Sequence, residues 1–257
     1  MDSTVTYIDL PDHCVELVQY FGSLADFSGY VDTTRIAEWL TLAAGIQSVD
    51  YDVSIFDTGA GVCGLADRWA EQQAQIQRQL ITLITRFSFC WCALESAVDS
   101  FVPQLLLRGG KINNLCEFLL RNYEPRDPIL GYSEILTMLD TQVSQSLPSN
   151  QLRNPTPLPR YLSNAGLGIY RVYNLRNLLA HGAFEIPIYE EGMNVAETGL
   201  VATSTRIVLL TLQMIAIAKY GSELVEIGWK EHEIMGVNTY DFLRCIHVVG
   251  ASYLSDE

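Results

Sequence analysis

Hydrophobic residues recur at steps of three and four along the middle of the chain. Between Leu65 and Val102 there is no glycine or proline. At about 100° per residue the apolar positions of this stretch form one stripe, which predicts one very long helix or two collinear helices. Pro103 and the pair Gly109-Gly110 end it. The stripe consists of Ile76, Leu80, Leu83, Ile84, Phe87, Trp91, Leu94, Val98 and Phe101.

Further helical patterns follow this stripe, separated by loops rich in glycine, proline and asparagine. The last of them is the most apolar and stops at Gly221, a residue type that is common just after a helix end. The four predicted helices span about 112–122, about 132–146, about 165–181, and from a cap at Thr203 or Ser204 to Tyr220.

The amino-terminal segment is less regular than the middle. The stretches "TVTYIDL" and "DYDVSIFD" suit short strands, whereas "TTRIAEWLTLAAGI" suits a helix with Thr33 or Thr34 as its N-cap. At the other end, the tail is expected to pack on the body through Trp229, Phe242 and the pair Val248-Val249.

These patterns predict a mainly α protein in three parts. An antiparallel helical bundle occupies residues 65–220, a small mixed α/β extension precedes it at 1–64, and a packed C-terminal extension follows at 221–257. With 257 residues, 49% of them hydrophobic, the chain is long enough to bury a sizeable core.

Composition points to a soluble, cytoplasmic protein without a membrane partner. The first residues lack the basic and then apolar pattern of a signal peptide. The longest apolar run, "IVLLTLQMIAIA", is shorter than the roughly 20 residues of a membrane span, which favours a buried helix. The six cysteines are irregularly spaced, so we expect reduced thiols rather than a disulfide framework or a zinc site.

Charge is distributed unevenly. The net charge is −14, but it divides into −10 over residues 1–75, +3 over 76–182 and −7 over 183–257. The positive middle part is compatible with a local phosphate-binding patch inside an acidic surface, and equally with uneven surface charge that binds nothing.

Two glycine-rich motifs are better explained by a turn before a helix. Gly59, Gly61 and Gly64 match G-x-G-x-x-G, but the second parallel strand of a dinucleotide-binding unit is missing from the pattern that follows. The triplet in "FDTGA" resembles that of aspartic proteases, which need an all-β body.

The stretch "YNLRNLLAHG", at 173–182, carries the most chemistry. On a helix, Val172, Leu175 and Leu179 share one side and are expected to face the core. Asn174, Asn177 and His181 lie within about 60° of one another on the opposite side. Arg176 lies about 140° from His181, so one straight helix does not bring the two side chains together.

Arg176 and His181, with Asn177 after the arginine, match the Arg-x4-His signature, and the chain thereby resembles proteins of the HEPN superfamily. The long preceding helix, with Trp91 and Glu95 in "RFSFCWCALES", adds to the resemblance. So do the glycine after the motif helix and the apolar helix that follows it. The similarity covers about 70–220.

The resemblance implies a dimeric bundle of four or five helices, and in many members a metal-independent endoribonuclease of toxin–antitoxin, phage-defence or CRISPR-associated systems. It implies Arg176, His181 and Asn177 as catalytic residues in a site composed of two protomers, with Glu95 and Asn174 in support. RNA and a second copy of the chain are the expected partners, together with a cognate antitoxin or defence complex. No cofactor or metal is expected.

Two other interpretations stay open. In the first, the bundle is a non-catalytic HEPN-like module that binds RNA, a nucleotide or a protein. In the second, His181 only interacts with the dipole of its own helix end. One departure from the family is plain: a branch of it carries a modified tyrosine two residues after the histidine, where this chain has Ala183.

Overall fold

A computed structural model describes residues 5–28, 33–52, 64–123, 129–146, 152–154, 156–188, 196–228 and 234–250. These residues form eight α-helices and one antiparallel two-stranded sheet, so the predicted mainly α class is confirmed. The helices are α1 (Leu10–Ser28), α2 (Thr34–Gly45), α3 (Gly64–Phe101), α4 (Lys111–Asn122), α5 (Tyr132–Gln145), α6 (Asn164–Ala180), α7 (Ala196–Tyr220) and α8 (Thr239–Cys245). The strands are β1 (Leu224–Gly228) and β2 (Ile234–Asn238).

Helix α3 is a single continuous helix, as the absence of glycine and proline predicts. Phe87, Trp91, Leu94 and Val98 of its apolar stripe are buried, and the helix ends at Phe101, two residues before Pro103. It packs against α2 on one side and α7 on another. The stripe therefore faces the core along the part of α3 that carries Trp91 and Glu95.

Helix α7 is the central helix of the fold and packs against α3, α5 and α6. By length and composition alone, two described helices could cross a membrane: Asp67–Phe101 and Ala196–Tyr220. In the second, 94% of the most apolar window is buried inside the protein, which confirms the predicted buried helix and is typical of a core helix.

The predicted start of α7 at Thr203 or Ser204 is wrong. The helix begins at Ala196, two turns earlier, and both residues lie buried inside it. Hydroxyl groups suggested a cap, but nearby threonines of this helix bond to their own preceding turn instead, as Thr205 Oγ1 does to the carbonyl of Val201 at 2.8 Å. Such bonds allow hydroxyl side chains of α7 to be buried in the protein core.

The amino-terminal strand prediction is wrong in the described residues. "TVTYIDL" forms only an isolated bridge between Tyr7 and Val248, and a helix, α1, begins at Leu10. From Leu10 onward, the helical spacing of Leu17, Phe21 and Leu24 buries one side of α1 against its neighbours. Of "DYDVSIFD", residues 50–52 carry no strand and the rest lies outside the described residues, as do Gly59 and Gly61.

The predicted helix α2 is confirmed. Thr33 occupies its N-cap position, but the Thr33 hydroxyl donates to the carbonyl of Phe21 at 2.6 Å rather than capping the helix. At the other end, buried Arg86 of α3 donates to the carbonyls of Ala43 and Ile46. A guanidinium at this position satisfies terminal carbonyls and the negative end of the helix dipole.

The tail packs on the body, and it also contains a hairpin that the sequence patterns did not predict. Strands β1 and β2 pair antiparallel, with Leu224 opposite Asn238. Asn238 then caps α8 by accepting from the backbone N–H groups of Tyr240 and Asp241. Phe242 is buried as expected, whereas Val249 is exposed and Trp229 lies outside the described residues.

A buried chain of hydrogen bonds joins both ends of the protein to α7. Arg206 Nη1 donates to His13 Nδ1 at 2.8 Å, and His13 Nε2 donates to Gln213 Oε1 at 2.8 Å. Gln213 Nε2 donates to His247 Nδ1 at 3.1 Å, and His247 Nε2 donates to the carbonyl of Leu130 at 2.7 Å. Because guanidinium and carboxamide N–H groups only donate, both histidines are neutral in this order.

Burial keeps these two imidazoles uncharged. It lowers the pKa of His13 well below the ordinary value and that of His247 to about 4, and the Arg206 charge lowers both further. Residues 1–64, 65–220 and 221–257 all contribute apolar side chains to one buried cluster, and the polar network joins the same three parts. The predicted boundaries between these three parts remain predictions.

Candidate active site

Helix α6 carries the Arg-x4-His motif and ends in a Schellman turn. Gly182 has a φ of +65°, in the left-handed region that favours glycine. The N–H of Gly182 donates to the carbonyl of Leu179, and that of Ala183 to the carbonyl of Leu178 at 2.8 Å. His181 is the C-cap residue within this turn, so the turn fixes where its side chain leaves the helix.

The inner side of α6 is buried and packs closely against neighbouring helices. Val172 and Leu175 are buried as predicted, whereas Leu179 is only partly buried and packs at the edge of the core. Gly168 allows close approach to the neighbouring helices, since a Cβ there would lie 2.7 Å from the Tyr132 hydroxyl and 3.0 Å from Ile207. The motif side chains are therefore held on a helix that packs closely on α5 and α7.

Arg176 faces α3. Its Nη2 lies 3.8 Å from Oε1 of Glu95, and both side chains remain well exposed, at 37% and 42%. The same carboxylate oxygen accepts a hydrogen bond of 2.7 Å from Trp91 Nε1, one turn earlier on α3. Glu95 thus connects a buried indole to the motif arginine.

Two cavities meet at Arg176. One has a volume of about 380 Å³ and lies between α3, α6 and the first turn of α4; Trp91, Glu95, Lys111 and Tyr173 are among its lining residues. The other has about 560 Å³ and is mostly apolar. It is lined on one side by Ile84, Phe87, Trp91 and Cys92, and on the other by Leu179, Phe184 and Ile186.

The thiol in the apolar cavity is not a prepared nucleophile. Burial, and next the nearby carboxylate of Glu95, raise the pKa of Cys92, although the Arg176 charge acts in the opposite direction. A protonated thiol is a weak nucleophile and a weak metal ligand. In the described residues no group of three or more histidine, cysteine or acidic side chains is placed to hold a metal ion.

His181 lies on another side of α6. Its side chain is exposed, and it lines a cavity of about 320 Å³ together with Asn174, Asn177, Leu178 and Ala183. The His181 imidazole makes no hydrogen bond to another described residue. The two carboxamides and the imidazole are grouped as the angular analysis of the sequence predicts.

The five predicted site residues therefore form two groups within one chain. Glu95 and Arg176 line the cavities that face α3, whereas Asn174, Asn177 and His181 line the cavity on the other side of α6. The helix separates the motif arginine from the motif histidine, which agrees with the angle of about 140° expected from helical geometry.

The sequence patterns did not identify Tyr173 or Lys111 as site residues, although both line the Arg176 cavity. Tyr173 stands three residues before Arg176 and stacks on Trp91, with ring centroids 6.2 Å apart and an interplanar angle of 21°. Its spacing on the helix was a usable signal. Lys111 gave no signal, because α4 reaches this cavity only through tertiary packing.

No protein-family model matches this chain, and no curated protein and no solved structure matches it either. The function is therefore inferred from the arrangement of side chains around α6.

Proposed function

We propose that this protein is a homodimeric, metal-independent endoribonuclease of the HEPN type that acts in the cytoplasm as a toxin or antiviral defence effector. The observation that carries the proposal is the placement of Arg176 and His181 within the last two turns of one helix. Both are accessible, yet they line separate cavities. Neither side chain is buried in the core, so both are available to a ligand or a partner.

A second copy of α6 resolves this separation. In a dimer with two-fold symmetry, the same surface of each protomer meets its equivalent, so a residue on one side of the contact meets a different residue of the partner. His181 of one chain then approaches Arg176 of the other, and two equivalent composite sites form.

The residue types suit cleavage of RNA by its own 2′-hydroxyl. The His181 imidazole of a site takes the proton of the 2′-hydroxyl while the hydroxyl oxygen attacks the adjacent phosphorus. The imidazolium formed in this way, or water, donates a proton to the departing 5′-oxygen. Arg176 binds the non-bridging oxygens as negative charge increases. The products are a 2′,3′-cyclic phosphate and a 5′-hydroxyl.

Three other side chains position these groups. Glu95 orients Arg176 through their ion pair and is itself held by the hydrogen bond from the Trp91 indole. Asn177 lies one turn before His181 in the same cavity and orients the imidazole or the phosphate, and Asn174 lines the same cavity wall. No step in this chemistry requires a metal ion.

The decisive experiment is an RNA-cleavage assay in EDTA. Wild-type protein should cut single-stranded RNA and leave cyclic phosphate ends, whereas His181→Ala should lose about 100-fold or more of the rate. Arg108→Ala is the matched control, since Arg108 is an exposed arginine of the same positive region and lines none of the three cavities at Arg176 and His181. Equal cleavage by wild type and His181→Ala would overturn the catalytic assignment.

The second candidate is a non-catalytic module that binds RNA, a nucleotide or a protein partner. The stacked aromatic pair beside Arg176 favours it, because that cavity is suited to binding whether or not cleavage occurs. RNA that stays intact, together with binding that Arg176→Ala abolishes, would support this second function in place of the first.

A further inference from the structure

The cavity of about 380 Å³ beside Arg176 contains more than the cleavage chemistry needs. Lys111, Asn113 and Tyr173 line it together with Trp91, Glu95 and Arg176, and the cleavage step above assigns no role to the first three. Its volume lies within the range of roughly 300–1,000 Å³ that is usual for small-molecule sites.

One wall is an aromatic platform. Trp91 is 4% exposed and is fixed by its hydrogen bond to Glu95 and by its contact with Phe87. Tyr173 lies nearly parallel to it and is 38% exposed. An exposed ring held on a rigid neighbour is a suitable surface for a planar base, since base stacking depends on the π-face and tolerates any sequence.

The other walls are charged. Two positively charged side chains, Arg176 and Lys111, line the cavity. Glu95 is the one negatively charged side chain among its described lining residues. Lys111 Nζ is paired with Asp99 at 2.7 Å, and both side chains of this pair are more than half exposed, so an incoming phosphate competes with it in water. The first turn of α4, which carries Lys111, contains no acidic side chain.

We propose that this cavity binds one unpaired nucleotide of the RNA substrate, with its base on Tyr173 and its phosphate between Arg176 and Lys111. This subsite rests on the proposed function only in the choice of RNA as the ligand. Because the base must leave its neighbours to enter the cavity, the subsite selects single-stranded over double-stranded RNA.

Binding can be measured apart from cleavage. The probe is a short fluorescent single-stranded RNA in which every ribose is 2′-O-methylated, so that no 2′-hydroxyl is available to attack. Tyr173→Leu, which keeps apolar bulk but removes the ring, should weaken binding and raise the dissociation constant about 5- to 100-fold. Tyr173→Phe should bind like the wild type. A wild-type dissociation constant in Tyr173→Leu would overturn the base platform.

Lys111 is tested with its ion-pair partner as the matched control. Lys111→Ala should weaken binding, whereas Asp99→Asn, which breaks the same ion pair but keeps the cation, should retain or tighten it. If Asp99→Asn weakens binding as much as Lys111→Ala does, the ion pair acts only on the fold and the phosphate contact is wrong. Thermal unfolding of each variant identifies any that fails to fold.

The same measurements separate this proposal from the cleavage proposal. A wild type that binds the probe with this pattern but leaves unmodified RNA intact would disprove the nuclease and keep the subsite. If the wild type cleaves RNA but the Tyr173 and Lys111 variants bind the probe normally, the nuclease proposal is kept and the subsite is disproved. A duplex made from the same probe should bind at least about tenfold more weakly, and equal binding would count against the subsite.

Discussion

Trp91 Nε1 donates a hydrogen bond of 2.7 Å to Oε1 of Glu95, one turn later on α3. The indole is buried and the carboxylate is exposed, so the bond restrains a surface side chain at the edge of the core. The oxygen that accepts this bond also lies 3.8 Å from Arg176. The position of the motif arginine thus depends on a residue of the core.

Neutralising Glu95 should impair cleavage without abolishing it. Glu95→Gln loses the charge that holds Arg176, and an exposed ion pair is worth up to about 1 kcal/mol, so we expect the cleavage rate to fall about 2- to 5-fold. Glu134→Gln, an exposed carboxylate on α5, is the control and should cleave normally. A loss as large as that of His181→Ala would mean that Glu95 takes part in the chemistry.

Mixing two inactive variants should restore cleavage if the site is composite. A heterodimer of Arg176→Ala and His181→Ala has one site with both substitutions and one site with neither. With random reassortment, the mixture should recover about a quarter of the wild-type activity. An inactive mixture, in which mass spectrometry shows that heterodimers have formed, would place the site within one chain.

Gly182 should matter to both stability and cleavage. At a φ of +65°, an alanine is strained, so Gly182→Ala should lower the free energy of unfolding by about 1 kcal/mol and shift His181. Gly22 is the control: it lies inside α1 with open space around it, and Gly22→Ala should raise stability by about 0.5–1 kcal/mol. Urea unfolding of both variants, together with the cleavage assay, checks this.

Stability should fall as the solution is acidified below about pH 6.5. His13 and His247 have lowered pKa values in the folded protein, that of His247 being about 4, whereas the unfolded chain takes up protons near the ordinary value. Their contribution is complete above pH 6.5 and decreases toward pH 4, by about 1.4 kcal/mol per pH unit for each histidine. A urea midpoint that does not change between pH 7 and 5 would contradict this.

Arg86 should be important for the fold, although it is charged. Arg86→Leu removes the donors that satisfy the carbonyls of Ala43 and Ile46, which should lower the free energy of unfolding by about 2–3 kcal/mol. Arg78→Leu, at an exposed position of the same helix, should change it by less than about 0.5 kcal/mol. Similar unfolding curves for the two variants would show that the carbonyls find other partners.

Local spacing alone predicted much of this molecule. The run without glycine or proline gave α3, the spacing of Val172 and Leu175 gave the buried side of α6, and Gly182 gave its end. The angle between Arg176 and His181 also follows from 3.6 residues per turn, so the two-sided placement was predictable. These features depend on residues that lie within a few turns of one another.

Long-range packing decided the rest. The early start of α7 is stabilised by neighbours distant in sequence, where burial overrides the hydroxyl cap signals. The docking of α4 places Lys111 at the same cavity as Tyr173, and the convergence of His13, Arg206 and His247 buries two imidazoles in neutral form. No local pattern encodes such contacts, because each side chain meets its partner only after the helices have packed.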